Sequence, residues 1–202
     1  MRSQLEEPAF FEPVAIARFF AAGNALFLID PARVLAAYGE SVIGSNLLDR
    51  LTTTTEGKKA FASGMVVPAL GVEAGYYTAL IRSTATERAM VPLTHIVYST
   101  GFVLGTETGD LLLCNAERAA DWRPGHTPDT RLQPPLSGFE RPVRVAPGWY
   151  SVTVVAGIRQ PEERAVTEDE DEEWVCAFLL EPCTEQPVFS ADLKHSLNFF
   201  DP

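Results

Sequence analysis

The chain has 202 residues, of which 46% are hydrophobic and 21% are charged, and it carries a formal net charge of −11. This length and composition are typical of a folded protein with a sizeable core, so a globular chain is expected rather than an intrinsically disordered one. The acidic balance makes nucleic acid a poor partner, because binding to a phosphate backbone depends on Lys and Arg side chains. A basic protein would complement a surface of this charge, and the alternative is that the acidity serves only solubility.

The N-terminal segment and the cysteines bear on where the chain functions. Residues Met1–Pro8 hold two acids and a proline where a secretory signal would be apolar, and the apolar runs are too short for a membrane span. Cys114, Cys176 and Cys183 are an odd number without metal-ligand spacing, so neither a disulfide framework nor a bound metal is predicted. We therefore predict a cytoplasmic protein with no cofactor and no membrane partner, and its oligomeric state is left open.

The first part of the chain predicts strands and one short capped helix. Phe10–Gly23 fits either a short helix or an edge strand, and the strand is favoured. Ala25–Ile29 is an apolar run of strand length. Asp30 and Pro31 then predict a helix start, because the carboxylate accepts from free N–H groups and proline needs no donor in the first turn. The predicted helix ends at Tyr38.

A surface loop and further β structure follow. Ser41–Gly64 is expected to be a surface loop with a helical piece near Asn46–Leu51. Met65–Leu70 and Tyr76–Arg82 predict a hairpin, since glycines separate two runs of strand character. Residues 93–104 are also rich in strand-forming side chains.

The second half of the chain repeats this order of elements. Leu111–Asn115 predicts a strand that ends in a helix cap, and the helix is expected over Ala116–Trp122. Arg141–Val145 and Trp149–Gly157 predict a second hairpin around a Pro-Gly turn. Trp174–Leu180 is apolar on both strand faces, which is typical of a central strand that is covered on both sides.

Two motifs occur in both halves in the same order, which predicts an internal duplication. An apolar run that ends in Asp or Asn, with Arg three residues later, occurs at Leu26–Arg33 and again at Leu111–Arg118. A Gly-aromatic-Tyr-Thr/Ser motif opens a second apolar run at Gly75 and again at Gly148. Insertions between such motifs belong in loops, so the halves can differ in length and still share a fold.

The C-terminal tail completes the predicted fold. Ser190–Phe200 predicts an amphipathic helix, because a serine cap precedes Leu193 and Leu197, which share one helix face. We expect this helix to pack on the sheet. Strands outnumber helices, so the predicted class is mainly β, with two duplicated β units over 1–105 and 106–202 in one compact body.

The aromatic pairs of the second motif are candidate binding residues. Tyr76 and Tyr77 start one strand, and Trp149 and Tyr150 start its counterpart. Neighbouring residues of a strand face opposite sides, so one aromatic side chain of each pair should pack in the core and the other should lie at an edge. Core packing is the simpler interpretation, and a ligand stacked between the halves is the alternative.

Six consecutive acids, here called the acidic run, form the second candidate binding site. They are Glu168, Asp169, Glu170, Asp171, Glu172 and Glu173. Mutual repulsion should hold such a run in water, as an exposed connection between two strands. It could also clamp a surface rich in Lys and Arg. Calcium is not predicted, because the run lacks the alternating acids and the glycine of a calcium loop.

The second half also resembles one type of uncharacterised bacterial β-rich domain. The matching residues are Gly109–Asn115, Trp122 and Val145–Val152. Some of these domains are candidate immunity proteins of polymorphic toxin systems. The resemblance implies a β-rich fold and assigns no catalytic residue, and the duplication departs from the single copy of the pattern.

The residue patterns do not predict catalysis. His95, His126 and His195 are dispersed, and Gly101–Gly105 lacks the Lys-Ser/Thr pair of a phosphate-binding loop. We therefore expect a non-enzymatic acidic binding protein that neutralises a basic protein partner, in the manner of an immunity protein. The alternative is a small-molecule-binding or enzymatic β domain with its site between the halves.

Overall fold

The computed structural model describes residues 14–83, 93–123, 140–159 and 173–198. The strands are β1 (Val14–Ala21), β2 (Ala25–Ile29), β3 (Val66–Leu70), β4 (Gly75–Ser83), β5 (Leu93–Thr106), β6 (Asp110–Asn115), β7 (Glu140–Arg144), β8 (Gly148–Arg159) and β9 (Glu173–Cys183). The helices are α1 (Pro31–Tyr38), α2 (Leu47–Thr53), α3 (Thr55–Ala62) and α4 (Ala116–Ala120), with a 3₁₀ turn at Glu40–Val42. The protein is mainly β, as the sequence predicts.

The described strands form two sheets. Sheet A has five strands in the order β1-β4-β9-β8-β5, and sheet B has four strands in the order β3-β2-β6-β7. Neighbouring strands are antiparallel except for β4 and β9, which are parallel. The apolar strand β9 is therefore central in sheet A, as its sequence predicts. Each sheet takes strands from both of the units expected over 1–105 and 106–202.

Two apolar cores define the layers of the fold. The larger core lies between the sheets and includes Leu28 and Leu113 of sheet B together with Phe178 of sheet A. The second core lies on the other face of sheet B, where helices cover Phe27 and where Trp122 is fully buried. Sheet B is thus buried on both faces, which explains why β2 and β6 are continuous apolar runs.

Both predicted helix caps are present. The Oδ1 atom of Asp30 accepts a hydrogen bond from the Arg33 N–H, and the Oδ1 atom of Asn115 accepts one from the Arg118 N–H, each at 2.9 Å. Helix α1 has the predicted bounds. Helix α4 is shorter than predicted, because it ends at Ala120 rather than at Trp122.

The two predicted hairpins, around 71–75 and around 147–148, are wrong. Strand β3 pairs with β2 in sheet B, whereas β4 pairs with β1 and β9 in sheet A, so the chain passes from one sheet to the other between them. The chain changes sheets in the same way between β7 and β8. Strands in opposite sheets can bury their apolar sides against each other, which a β3–β4 hairpin could not do.

The predicted C-terminal helix is also wrong for the part of it that the structure describes, residues 190–198. These residues contain no helix. The Ser190 N–H donates to the Gly101 carbonyl, and the Leu197 N–H donates to the Leu70 carbonyl, each at 2.9 Å. These bonds to other strands outweigh the weak tendency of one short segment to become helical. Leu197 nevertheless packs in the larger core, as its apolar character suggests.

Candidate functional site

The structure places the four candidate aromatic residues in core and edge positions. Tyr77 and Tyr150 are 0% and 5% exposed and belong to the core between the sheets. Burial raises the pKa of both hydroxyl groups, which favours the neutral phenols. Tyr76 is 56% exposed and lies against Phe20, with 5.0 Å between the ring centroids. Trp149 is half-buried.

The two aromatic pairs do not lie close together. Tyr77 pairs with Trp174 at the start of β9, whereas Trp149 pairs with Cys183 at the end of the same strand. Trp174 and Cys183 are nine residues apart on β9. Because a strand rises by about 3.3 Å per residue, roughly 30 Å separates the two aromatic pairs along the strand direction. The structure therefore does not bring these aromatic side chains around one shared ligand.

Trp149 joins sheet A to the turn before β3. The Cζ atom of Arg33 lies 4.7 Å from the centroid of the Trp149 ring, in a cation–π contact. The same guanidinium donates from Nη2 to the Ser63 carbonyl at 3.0 Å. The ring also lies against Gly64 and Gly105, whose backbones are linked by a hydrogen bond of 2.9 Å. Trp149 is therefore half-buried because its ring packs between sheet A and the neighbouring layer.

A polar group that the sequence did not single out as a site lies beside this contact. Asp30 is 0% exposed, and its Oδ2 atom has no hydrogen-bond partner among the described residues. The buried Nε atom of Arg33 also has none in that part of the chain. The sequence assigns Asp30 a capping role, but it gives no signal that the second carboxylate oxygen is buried.

Of the acidic run, only Glu173 belongs to the described residues, and Glu168–Glu172 lie outside them. Glu173 accepts a hydrogen bond from the Thr78 hydroxyl and forms an ion pair of 3.0 Å with Arg159. Arg159 ends β8 and Glu173 begins β9, and the two residues are directly paired in the sheet. This ion pair therefore closes the base of the connection that carries the acidic run.

A shallow apolar groove lies on the outer face of sheet A. It is lined by Leu80, Arg82, Leu93, Val155, Val175, Ala177 and Leu179. Desolvation and the nearby Arg159 charge lower the pKa of Arg82. The buried Nε atom of Arg82 has no hydrogen-bond partner among the described residues. The groove therefore has an apolar floor and a cationic rim.

The charged side chains are unevenly distributed along the chain. The described residues carry 14 acids and 12 lysines and arginines, so this part of the protein is nearly neutral. Residues 160–172, which connect β8 to β9, hold seven acids and one arginine, a net charge of −6. More than half of the net charge of the whole chain therefore falls in one connection.

The His, Cys, Asp and Glu side chains of the described residues bear on metal binding and catalysis. Among these residues, there is no cluster of three or more His, Cys, Asp or Glu that could hold a metal. His95 and His195 are exposed on separate elements, and His126 lies outside the described residues. Burial raises the pKa of the Cys176 thiol to about 12, so this thiol does not have the character of a nucleophile.

Comparisons with known proteins add no assignment. No protein-family model, curated protein or solved structure matches this chain. Within the described ranges, each helix is too short or too polar to cross a lipid bilayer.

Proposed function

We propose that this chain is a non-enzymatic acidic binding protein that uses its acidic run to bind a basic protein partner, as an immunity protein neutralises a toxin. One observation carries the proposal: residues 160–172 contribute −6 of the net charge of −11. A dense cluster of one sign produces a strong local field, which attracts and orients a partner of the opposite sign.

The alternative explanation of the acidity is solubility. An adaptation to solubility would distribute acids over the whole surface, with both signs interspersed. The sheets and helices already have this mixed character, because their 14 acids are nearly balanced by 12 bases. The additional negative charge is concentrated in one connection, and this concentration supports recognition of a partner.

Sheet A fixes both ends of residues 160–172, the connection between β8 and β9 that carries most of the acidic run. Strands β8 and β9 are paired as far as Arg159 and Glu173, and the ion pair between these residues is 3.0 Å long. Thr78 of β4 donates to the same carboxylate, so three neighbouring strands meet at this base. Anchoring both ends restricts the space that the acids can reach, which reduces the entropy lost when a partner binds.

The interior supports a binding role more than the enzymatic alternative. The core between the sheets is made of apolar side chains, and the aromatic pairs lie at opposite ends of β9. Several buried polar side chains act in local structure: Asp30 and Asn115 cap helices, and Thr106 accepts from the Gly109 N–H. A small-molecule or enzymatic site between the halves would need polar groups that converge on a cavity.

The thiols support a reducing compartment. Cys176 and Cys183 are free thiols, and Cys176 is buried. Free thiols are usual in the cytoplasm and less usual outside the cell. We therefore propose a cytoplasmic protein whose partner is a basic protein rather than nucleic acid.

Two charge variants test the proposal. The first replaces by their amides the five acids of the acidic run that lie outside the described residues: E168Q, D169N, E170Q, D171N and E172Q. The control replaces five exposed glutamates elsewhere, so that both variants have the same net charge: E40Q, E56Q, E107Q, E117Q and E185Q. Isothermal titration calorimetry with an oligolysine peptide at about 20 mM salt, where screening is weak, measures the affinity of each.

We expect the first variant to bind oligolysine at least about tenfold more weakly than the native chain, and the control to bind within about twofold of it. The native affinity should also fall as salt is raised, because the contacts are between exposed charges. Equal losses in the two variants would show that net charge alone attracts the peptide. That result, or no binding by the native chain, would contradict the proposal.

A further inference from the structure

We propose that residues 14–83 and 99–156 are two copies of one β-β-α-β-β unit, related by an approximate two-fold axis on which β9 lies. Each copy contributes its first and last strands to sheet A and its two middle strands to sheet B. In the first copy these strands are β1, β4, β2 and β3, and in the second copy they are β5, β8, β6 and β7.

One position of the turn between the first two strands is left-handed in both copies, although the preceding position is left-handed only in the first copy, at Gly23. Asn24 has a φ of 55°, and Gly109, which lies 85 positions later, has a φ of 79°. The carbonyl of Asn24 accepts from the Gly71 N–H, and the carbonyl of Gly109 accepts from the Val145 N–H, each at 2.9 Å. The left-handed region is unfavourable for residues other than glycine, so the shared conformation is informative.

The helix caps follow the same spacing. Asp30 and Asn115 are also 85 positions apart, and each accepts from the N–H three residues later at 2.9 Å. Strand pairing extends the correspondence to the last strand of each copy. Ala21 pairs with Gly75, and its equivalent Thr106 pairs with Gly148.

The pairing also locates the axis. In sheet B, Leu28 pairs with Leu113, which is its own equivalent 85 positions later. In sheet A, Phe178 of β9 pairs with Ile81 on one side and with Val154 on the other. Ile81 and Val154 are equivalent positions, because both follow the first glycine of their strand by six residues. A single strand on a two-fold axis must break the symmetry, which is why β9 is parallel to β4 and antiparallel to β8.

The copies differ in the buried polar side chain at the helix cap. The Nδ2 atom of Asn115 donates to the Phe20 carbonyl at 3.0 Å, whereas the Oδ2 atom of Asp30 has no partner among the described residues. The equivalent of Phe20 is Gly105, 85 positions later. The symmetry therefore predicts that an amide at position 30 would donate to the Gly105 carbonyl, which a carboxylate cannot do.

The substitution D30N and its counterpart N115D test this inference. We expect D30N to raise the melting temperature by about 3 °C, because it adds a buried hydrogen bond, and N115D to lower it by at least that amount. In the NMR spectrum of D30N, the new side-chain amide should exchange with solvent as slowly as that of Asn115. Slow exchange of the new amide is expected only if it forms the hydrogen bond that the symmetry predicts, whereas removing the charge of Asp30 would not by itself slow this exchange.

Exposed positions provide matched controls. D49N removes an exposed carboxylate, and N46D adds a carboxylate to the exposed cap of α2. Each should change the melting temperature by less than about 1 °C, as surface substitutions usually do. If D30N lowers the melting temperature, or if its new amide exchanges rapidly, positions 30 and 115 are not equivalent and the inference is wrong.

Discussion

The buried thiol of Cys176 makes the stability of the fold sensitive to alkaline pH. Burial raises its pKa from 9.0 to about 12, so the folded state holds the proton at pH values where the unfolded chain releases it. A group whose pKa is raised on folding stabilises the protein fully below its unfolded pKa. This stabilisation is lost as pH rises from about 9 to about 12.

The size of the loss follows from linkage. One pKa unit corresponds to about 1.4 kcal/mol, so Cys176 alone should lower the free energy of unfolding by about 1.4 kcal/mol between about pH 8 and about pH 10. Tyr77 and Tyr150, whose pKa values are also raised by burial, add to the loss at higher pH. Up to about pH 10 the difference between the native chain and C176A reports the thiol, because both retain the tyrosines; at higher pH it also includes the effect of the Cys176 charge, which contributes to the raised pKa of Tyr77.

Urea unfolding of the native chain and of C176A, under reducing conditions at several pH values, measures this contribution. C176A should be less stable at neutral pH by about 1 kcal/mol, because it leaves a small cavity, but its stability should fall less steeply with pH. C183A is the control, because Cys183 lies partly exposed at the end of β9, and this variant should keep the native slope. Identical slopes for C176A and the native chain would refute the reasoning.

Two further predictions concern packing. G57A should lower the free energy of unfolding by about 3 kcal/mol in urea titrations, because an added Cβ would overlap the backbone carbonyl of Leu51. A native-like stability would show that α2 and α3 can separate without cost. L197A should lower the free energy of unfolding by about 3 kcal/mol, because Leu197 is 1% exposed and packs in the larger core. Because this side chain holds the C-terminal tail on the core, the same variant should be cleaved faster by trypsin at Lys194. Unchanged cleavage would mean that backbone bonds alone hold the tail.

The features that local chemistry determines could be predicted from the sequence. The cap of α1 depends on Asp30 and on the proline that follows it, and these neighbours are sufficient to start a helix. The central position of β9 was evident from its apolar residues on both faces. Helix α3 was not predicted, because its cap is Thr54 within a run of threonines, which favour helices weakly.

The arrangement of the strands could not be predicted, because it depends on contacts between distant residues. Gly71, between β3 and β4, and Gly75, the first residue of β4, fit a hairpin turn and a crossing between sheets equally well. Strands β4 and β8 run in opposite directions on either side of β9, so the aromatic pairs at their starts lie at opposite ends of the sheet, and neither motif contains a signal of this. For the same reason, the alternative of one ligand stacked between the halves was open from the sequence, whereas the structure places the two aromatic pairs at opposite ends of β9.

An NMR titration of isotope-labelled protein with oligolysine tests the central proposal most directly. If the acidic run binds basic partners, the largest amide shifts should occur in residues 160–172 and in Arg159 and Glu173 at their base, and they should weaken as salt is added. Exposed acids of the helices, such as Glu56 and Glu117, should shift little. Shifts that are largest on the helices, or equal over the whole surface, would contradict the proposal.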